Sequence, residues 1–559
     1  MTDVTSLRPL FAVLVSAVAI PVILSLRSRP NVREGVTLTV AATKFALVAS
    51  MVPGVLSGTT YVTRIGELGD GISLVLRADP LGILFALLAS LLWIVTSFYS
   101  IGYMRGLSEH AQTRYFASFA ASLASAVGVA FGANLVTLFV FYELLTVSTY
   151  PLVTHDETDE ARAAGRKYLT YTFGGGVAVL GGTALVYVLT GTTAFTPGGI
   201  EALAGADPTL ARVAFGLLAG GFGVKAALMP VHSWLPDAMV APTPVSGLLH
   251  AVAVVKSGIF GIARVVLDVF GTETMAELGV AAPLAVVAAI TLLTASVIAL
   301  RQDNLKRRLA YSTISQLSYI VLGLALLEGE ALVGGLLHIP AHAFMKLTLF
   351  FCAGAIHVET HTDDISDMAG IGDRMPLTMA AFAVAAAGMA GIPLIAGFVS
   401  KWYIVIGALE GGGLVFAGAL LVSGVLNIAY FWPIVYQAYF ESPDGHDKKP
   451  LVTAALGGRG SPRADGGHEA ATHASAGETA AHGDDHEAAT HEGHDDHHGG
   501  PPAGGWDVRG WRGAESTWFM LGPILTAASL SVLLGVVPRT AVFLRIIETV
   551  VGSLPGVMG

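Results

Sequence analysis

The sequence predicts an all-α integral membrane fold of about 14 transmembrane helices, with two inverted five-helix repeats and discontinuous helices 7 and 12. Three observations lead there. Of 559 residues, 53% are hydrophobic and 13% are charged, against roughly 25% charged in an ordinary soluble domain. Apolar runs of about 18 to 25 residues, each enough to cross a hydrocarbon layer of roughly 30 Å, recur almost without pause. Proline and small residues interrupt two of these runs at matching places in two stretches of similar length.

In chain order, the spans are 7–26, 36–57 and 80–102, forming an N-terminal section over 1–112. Spans 113–132, 134–154, 166–190, 209–231 and 244–269 make a first five-helix unit, 113–269. Spans 280–300, 309–326, 332–355, 376–406 and 414–440 make a second, 280–440. A last span, 516–537, belongs to the C-terminal section 516–559. The first run lacks a small-residue cleavage site after a short apolar core, so it reads as a retained helix. Five is an odd number, so two such units in sequence run in opposite directions through the membrane, the pattern of an inverted repeat. KAALMPVHSWLPDAMVAPTPVSG in span 7 and MAGIPLIAGFVSKWYI in span 12 carry the interruptions. A pair of ordinary proline kinks is the alternative.

The net charge of −10 is local. Residues 441–515 hold 14 acidic and 6 basic residues, leaving 27 and 25 elsewhere. This segment also has 9 of the 17 histidines and neither apolar periodicity nor enough bulky residues to bury a core, so it reads as a disordered loop. His486, His491, His494, His497 and His498 offer weak metal binding there, against the simpler reading of a solvated loop. Placing the N-terminus outside puts 19 basic residues in cytoplasmic loops and 7 on the other side, or 13 against 7 without the long loop. The chain is therefore expected to be a multi-pass protein of the plasma membrane, its His-rich loop cytoplasmic.

A single cysteine, Cys352, cannot build a disulfide framework, an all-cysteine cluster or a CxxC zinc site. No nucleotide-binding glycine motif is present, which argues against an ATP-driven pump. No cofactor is expected, and electron-transfer chemistry would need another subunit.

Five lysines, Lys44, Lys225, Lys256, Lys346 and Lys401, fall in the interior of spans, away from the first two residues. A charge at mid-bilayer costs at least about 2.5–3.5 kcal/mol, so lysines kept there point to a use. Lys44 reads as a snorkelling residue near the end of span 2. Glu143 is the only carboxylate in span 5, and Lys225 is its expected partner. A lysine out of water holds its proton less tightly and a nearby carboxylate restores the hold, so a pair that parts and meets again carries protons. A static ion pair fixing helix register is the other reading. His250 and Lys256, six residues apart in span 8, do not share a helix stripe, whereas His338, His342 and Lys346 in span 11 fall at i, i+4 and i+8, with Pro340 between the first two. That face reads as a proton wire. A haem or metal on His338 and His342 is the alternative, with no clear further ligands in the spans. The proposed line is Glu143, Lys225, Lys256, His338, His342 and Lys401, with His250 and Lys346 as accessories.

VFYELLTVSTYPLV, KAALMPVHSWLPDAMVAPTPVSGLLHA, LKRRLAYSTISQLSYI and AHAFMKLTLFFCAGAIH carry a family resemblance over roughly 110–440. They resemble the antiporter-like subunits shared by respiratory complex I and the Mrp-type multisubunit sodium/proton antiporters. The resemblance implies 14 helices in two inverted repeats and a proton path through Glu143, Lys225, Lys256, the span 11 histidines and Lys401. RMPLTMAAFAVAAAGMAGIPLIAGFVSKWYIVIGALE is most similar to the D-type Mrp subunits, where the span 12 group is a lysine; one complex I homologue has a glutamate there. His250 in LLHAVAVVKSG instead resembles the larger A-type Mrp subunits and the most distal complex I subunit. The His-rich insert departs from the family pattern. The implied partners are other membrane subunits, protons and sodium or another monovalent cation, with the lipid bilayer around them and no nucleic acid. Two readings stay open: a secondary transporter subunit, or the proton-pumping arm of an NADH or ferredoxin:quinone oxidoreductase whose redox subunits are separate chains. A quinone- or haem-binding subunit is a third, weakened by the lack of clustered ligands.

Overall fold

A computed structural model of the chain describes residues 1–69, 72–251, 253–442, 500–501, 506–508, 515–540 and 542–555. Strand β1 (Thr2–Thr5) is followed by helices α1 (Arg8–Ser25), α2 (Pro30–Ala49) and α3 (Val52–Leu56), strands β2 (Thr59–Gly69) and β3 (Ile72–Ala78), and α4 (Pro80–Gly106). Next come α5 (Gln112–Phe131), α6 (Leu135–Val153), α7 (Asp159–Thr190), α8 (Pro208–Lys225), α9 (Trp234–Asp237), α10 (Thr243–Ala251), α11 (Val254–Arg264) and α12 (Gly271–Leu278). The remainder is α13 (Ala281–Ala299), α14 (Leu305–Ala325), α15 (Gly329–Thr360), α16 (Ile371–Arg374), α17 (Pro376–Ala390), α18 (Ala396–Glu410), α19 (Leu414–Phe440), α20 (Trp518–Val536) and α21 (Phe543–Val551).

The spans begin where local chemistry says they should. Asp79, Asn134, Thr158, Asp207 and Asn304 each accept a hydrogen bond from a backbone N–H in the first turn of the helix that follows. Helix α15, 32 residues long, is the centre: it packs against α4, α10, α14, α17, α18, α20 and α21, and its most apolar stretch is wholly buried. The outer helices turn apolar side chains outward instead, with Val177 71%, Val188 76% and Val415 81% exposed. Water would penalise such surfaces and lipid does not, so this is a multi-pass membrane protein.

Among the described residues, ten helical stretches are long and apolar enough to cross a membrane. The other four expected spans, 209–231, 244–269, 309–326 and 376–406, are helical but are broken or carry polar groups. Helix α8 stops at Lys225, α10 and α11 divide the expected span 244–269, and α17 and α18 divide the expected span 376–406. Helix α14 stays whole, with Ser312, Ser315, Gln316, Ser318 and Tyr319 buried along it.

Two features correct an all-α reading with a plain C-terminal tail. Strand β2 pairs parallel with β1 and antiparallel with β3, closing a three-stranded sheet at one end of the bundle. Leu76 and Ala78, two residues apart, are fully buried, while Arg77 between them reaches Asp3 at 3.1 Å, the alternation of a half-buried strand. Beyond α20, helix α21 buries Phe543, Leu544, Ile546, Ile547, Val550 and Val551, and Phe543 meets Phe344 of α15 edge-on at 5.9 Å.

Candidate functional site

The break after α8 and the one between α17 and α18 leave helix C-terminal carbonyls without intrahelical donors, and surrounding side chains reach one carbonyl at each. At the end of α8, Trp234 Nε1 donates to Val224 O at 2.8 Å. In span 12, Gly391, at φ +94°, ends α17 in the left-handed region that favours glycine. Met389 O then accepts from Lys401 Nζ at 2.5 Å and from Asn427 Nδ2 at 3.1 Å. Lys401, on α18, also lies 4.7 Å from the Tyr319 ring centroid.

Lys225 is the last residue of α8 and is fully buried. Its Nζ donates to Tyr142 O at 2.6 Å and sits 3.4 Å from the Tyr142 ring centroid. Glu143, the next residue along α6, lies in the field of Lys225 without forming an ion pair with it. Both Glu143 carboxylate oxygens are buried and have no hydrogen-bond partner among the described residues. The glycine at 176 is what gives the carboxylate room: a Cβ there would run into Glu143 Oε1.

Gly258 of α11 packs directly on the end of α8, where an added Cβ would strike Phe222 O and the backbone at Lys225 and Ala226. This close approach brings Lys256, two residues earlier, near the first break. Lys256 Nζ is 3.0 Å from His342 Nδ1 on α15, both groups fully buried. His342 and His338 rings lie 6.1 Å apart. His338 Nδ1 is 2.8 Å from Ser400 Oγ and Nε2 is 2.9 Å from Gln316 Oε1, and Lys401 follows Ser400 on α18. Lys256, His342, His338 and Lys401 therefore stand in one buried sequence. No side-chain hydrogen bond among the described residues joins Lys225 to Lys256.

The accessory residues flank this line. His250, next to the last residue of α10 and one break away from Lys256, meets the Phe350 ring at a tilt with 4.8 Å between centroids, and both its ring nitrogens are buried without a hydrogen-bond partner among the described residues. Lys346 points to α14, donating to Leu309 O at 3.1 Å and to Ser312 Oγ. Helix α15 runs unbroken through Pro340, so the three-residue face predicted on it is kept. A metal on His338 and His342 fares poorly, because both His338 nitrogens already face hydrogen-bonding groups.

Two expectations are corrected. Lys44 does not snorkel: it is fully buried, donates to Leu123 O at 2.8 Å and lies 5.5 Å from the Trp93 ring. A backbone carbonyl and an aromatic face inside the bundle replace the water it would otherwise seek. Arg264, one of the seven basic residues expected on the outer side, is not in a solvated loop but 2% exposed and held by Asp79 and Asp268, each at 2.7 Å. His486, His491, His494, His497 and His498 lie outside the described residues.

The residue-by-residue reading misses the neutral groups that complete the line: Ser312, Gln316 and Tyr319 on α14, Ser400, Asn427 and Tyr430. Only the three on α14 leave a trace in the sequence, a shared helical face, since Ser312 and Gln316 are four apart and Tyr319 is three further on; it shows a polar stripe and not what the stripe meets.

Residues 132–427 match the family described as NADH:quinone oxidoreductase/Mrp antiporter, TM. NADH-quinone oxidoreductase subunit N of Desulforudis audaxviator is 34% identical over 390 residues, covering 69% of this chain and 77% of that one. The A/B polypeptide of a probable K(+)/H(+) antiporter of Rhizobium meliloti is 33% identical over 415 residues, 72% of this chain; the chain spans 40% of that relative's length. The same fold is found in a chain of the Mrp complex from Dietzia sp. DQ12-45-1b, with a TM-score of 0.77 at 23% identity, covering 99% of this chain and 98% of that one. With a match over more than half its length, the chain belongs to the NADH:quinone oxidoreductase/Mrp antiporter transmembrane family.

Proposed function

We propose that this cation/proton antiporter-like membrane subunit moves protons for a multisubunit monovalent cation/proton antiporter of the plasma membrane. The route runs through Glu143, Lys225, Lys256, His342, His338 and Lys401, with His250 and Lys346 beside it. The observation that carries this reading is the contact of Lys256 Nζ with His342 Nδ1 at 3.0 Å inside a fully buried core. It links the first five-helix unit to the second through two groups that can each hold or release a proton. The breaks beside Lys225 and Lys401 support water access at the two ends, since irregular backbone at membrane depth belongs where it lines a cavity. The finer assignment is a D-like subunit exchanging sodium, with 14 spans, repeats over 113–269 and 280–440, the N-terminus outside and loop 441–515 cytoplasmic. It rests on the motif resemblance and the distribution of basic residues.

The second reading is a proton-pumping arm of a redox complex, favoured by the NADH-quinone oxidoreductase relative that the chain covers by 77%. Reconstitution of the chain with its native partner subunits into liposomes separates the two. A sodium or potassium gradient imposed without any electron donor should drive proton movement in the opposite direction, and His342→Ala should abolish it. Proton movement that appears only when a reduced donor and quinone are supplied would instead establish the redox reading.

A further inference from the structure

Away from the proposed path, three metal-ligating side chains converge where the α4–α5 turn meets the α6–α7 turn. Glu109 and His110 come from the first turn and His155 from the second. Glu109 Oε2 lies 3.6 Å from His110 Nδ1 and 3.8 Å from His155 Nε2, and one ligand atom from each residue can be chosen so that all lie within 4.8 Å of one another. Ligand atoms about 2.0–2.2 Å from a tetrahedral zinc are about 3.4 Å from each other. Two of the separations are thus a few tenths of an ångström from that value, and the widest is at most 4.8 Å.

The His155 side chain is fully buried, yet both its ring nitrogens lack a hydrogen-bond partner among the described residues. It is packed between the His110 ring, stacked at 4.8 Å, and the edge of Tyr115 at 5.8 Å. A buried imidazole with neither nitrogen satisfied is an unusual cost, and its distance of 3.8 Å to Glu109 is too long for a hydrogen bond. His110 is already oriented for ligation. Its Nε2 is 2.9 Å from His155 O, which can only accept, so Nε2 carries the proton and the Nδ1 lone pair faces Glu109. Arg114 Nη2 also donates to His155 O at 3.1 Å, and its charge is paired with Glu157. Glu109 feels the carboxylate of Asp156 on one side and the imidazole of His357 on the other. Half the His110 side chain and a fifth of Glu109 are exposed, which leaves a path in from solvent.

We propose that Glu109, His110 and His155 form a site for a divalent transition ion of the zinc class, with water in the fourth position. Two nitrogens and one carboxylate select such an ion over Mg2+, which prefers oxygen ligands and octahedral geometry. Bound there, the ion would clamp the end of α6 to the α4–α5 turn.

The test uses the full-length chain in detergent and reads His110 alone, because the nine histidines of 441–515 would confuse any bulk metal titration. Carbethoxylation of His110 is followed by peptide mass spectrometry with and without Zn2+. Micromolar Zn2+ should slow the modification and Mg2+ should not. Glu109→Gln and His155→Ala should each raise the Zn2+ concentration needed for protection at least about tenfold. Glu109→Gln keeps the size of the side chain and removes only its charge, so it remains informative if His155→Ala fails to fold. Equal modification with and without Zn2+, or protection undiminished in Glu109→Gln, would overturn the site.

Discussion

The two broken helices place a lysine in nearly the same setting and differ in one partner. Lys225 donates to Tyr142 O and lies on the Tyr142 ring; Lys401 donates to Met389 O and lies near the Tyr319 ring. In both cases an aromatic face and a main-chain carbonyl take the place of water around an ammonium. Beside Lys225 stands Glu143, a buried carboxylate with no hydrogen-bond partner among the described residues. Beside Lys401 the neighbours are neutral, Asn427 on the same carbonyl and Ser400 leading to His338. Lys225 is fully buried and Lys401 only partly so. A lysine with a carboxylate within reach can exchange a carbonyl contact for an ion pair, and that exchange alters how tightly it holds its proton. On the proposed route, a lysine among neutral groups at a partly open break would pass its proton to a histidine or to water. The proposal therefore gives the first break the part of a charge-coupled switch and the second that of an exit.

The largest effect should come from dismantling the first break. Lys225→Ala and Glu143→Ala should each lower sodium/proton exchange in everted vesicles by at least about a hundredfold, the usual scale for loss of an essential proton-transfer group. The assembled complex should persist on a blot of the membranes. Undiminished exchange in both variants would remove the distinction between the breaks, and loss of the complex would point to a static pair that only holds the helices.

At the second break the outcome should depend on titration and not on charge sign. Lys401→Leu, similar in volume without a proton to give, should be inactive. Lys401→Glu should keep partial activity with its pH optimum moved to the acid side, because a carboxyl group titrates about six units below an amine before either is buried. Exchange measured across pH for both variants decides it: a leucine that works as well as lysine would make Lys401 structural and move the exit elsewhere.

The smallest effect should follow deletion of Asp444–Pro502, between α19 and α20 in the chain. Exchange should stay close to that of the intact chain at equal expression. A deletion that silences transport would mean the second break depends on a segment with no apolar means of reaching the midplane.

Much of the line is legible in the sequence because charge is expensive in lipid. Glu143 and the lysines at 225, 256, 346 and 401 stand out against apolar spans whatever the fold, and the prolines at 230 and 393 mark where helices stop. Lys44 stands out by the same rule and misleads, since hydropathy cannot distinguish a lysine reaching the membrane surface from one held by Leu123 O inside the bundle. Ser312, Gln316, Asn427 and Tyr430 give no such signal, because serine, amide and phenol side chains are tolerated in spans and gain meaning only from what they face. The short sheet escapes a sequence reading because Thr59–Ala78 lies between spans, where alternation over a few residues is a weak signal.

By itself, then, the sequence determined that the chain crosses the membrane many times, that it keeps titratable groups at depth, and that two helices break beside lysines. These follow from transfer costs and backbone chemistry, which act on each segment separately. Only the tertiary structure decided that Lys256 meets His342, that Lys225 rests on a carbonyl while the Glu143 carboxylate has no hydrogen-bond partner among the described residues, and that Glu109, His110 and His155 converge. Those pairings depend on how helices far apart in the chain pack, down to the contact Gly258 allows at the end of α8, and no local preference encodes them.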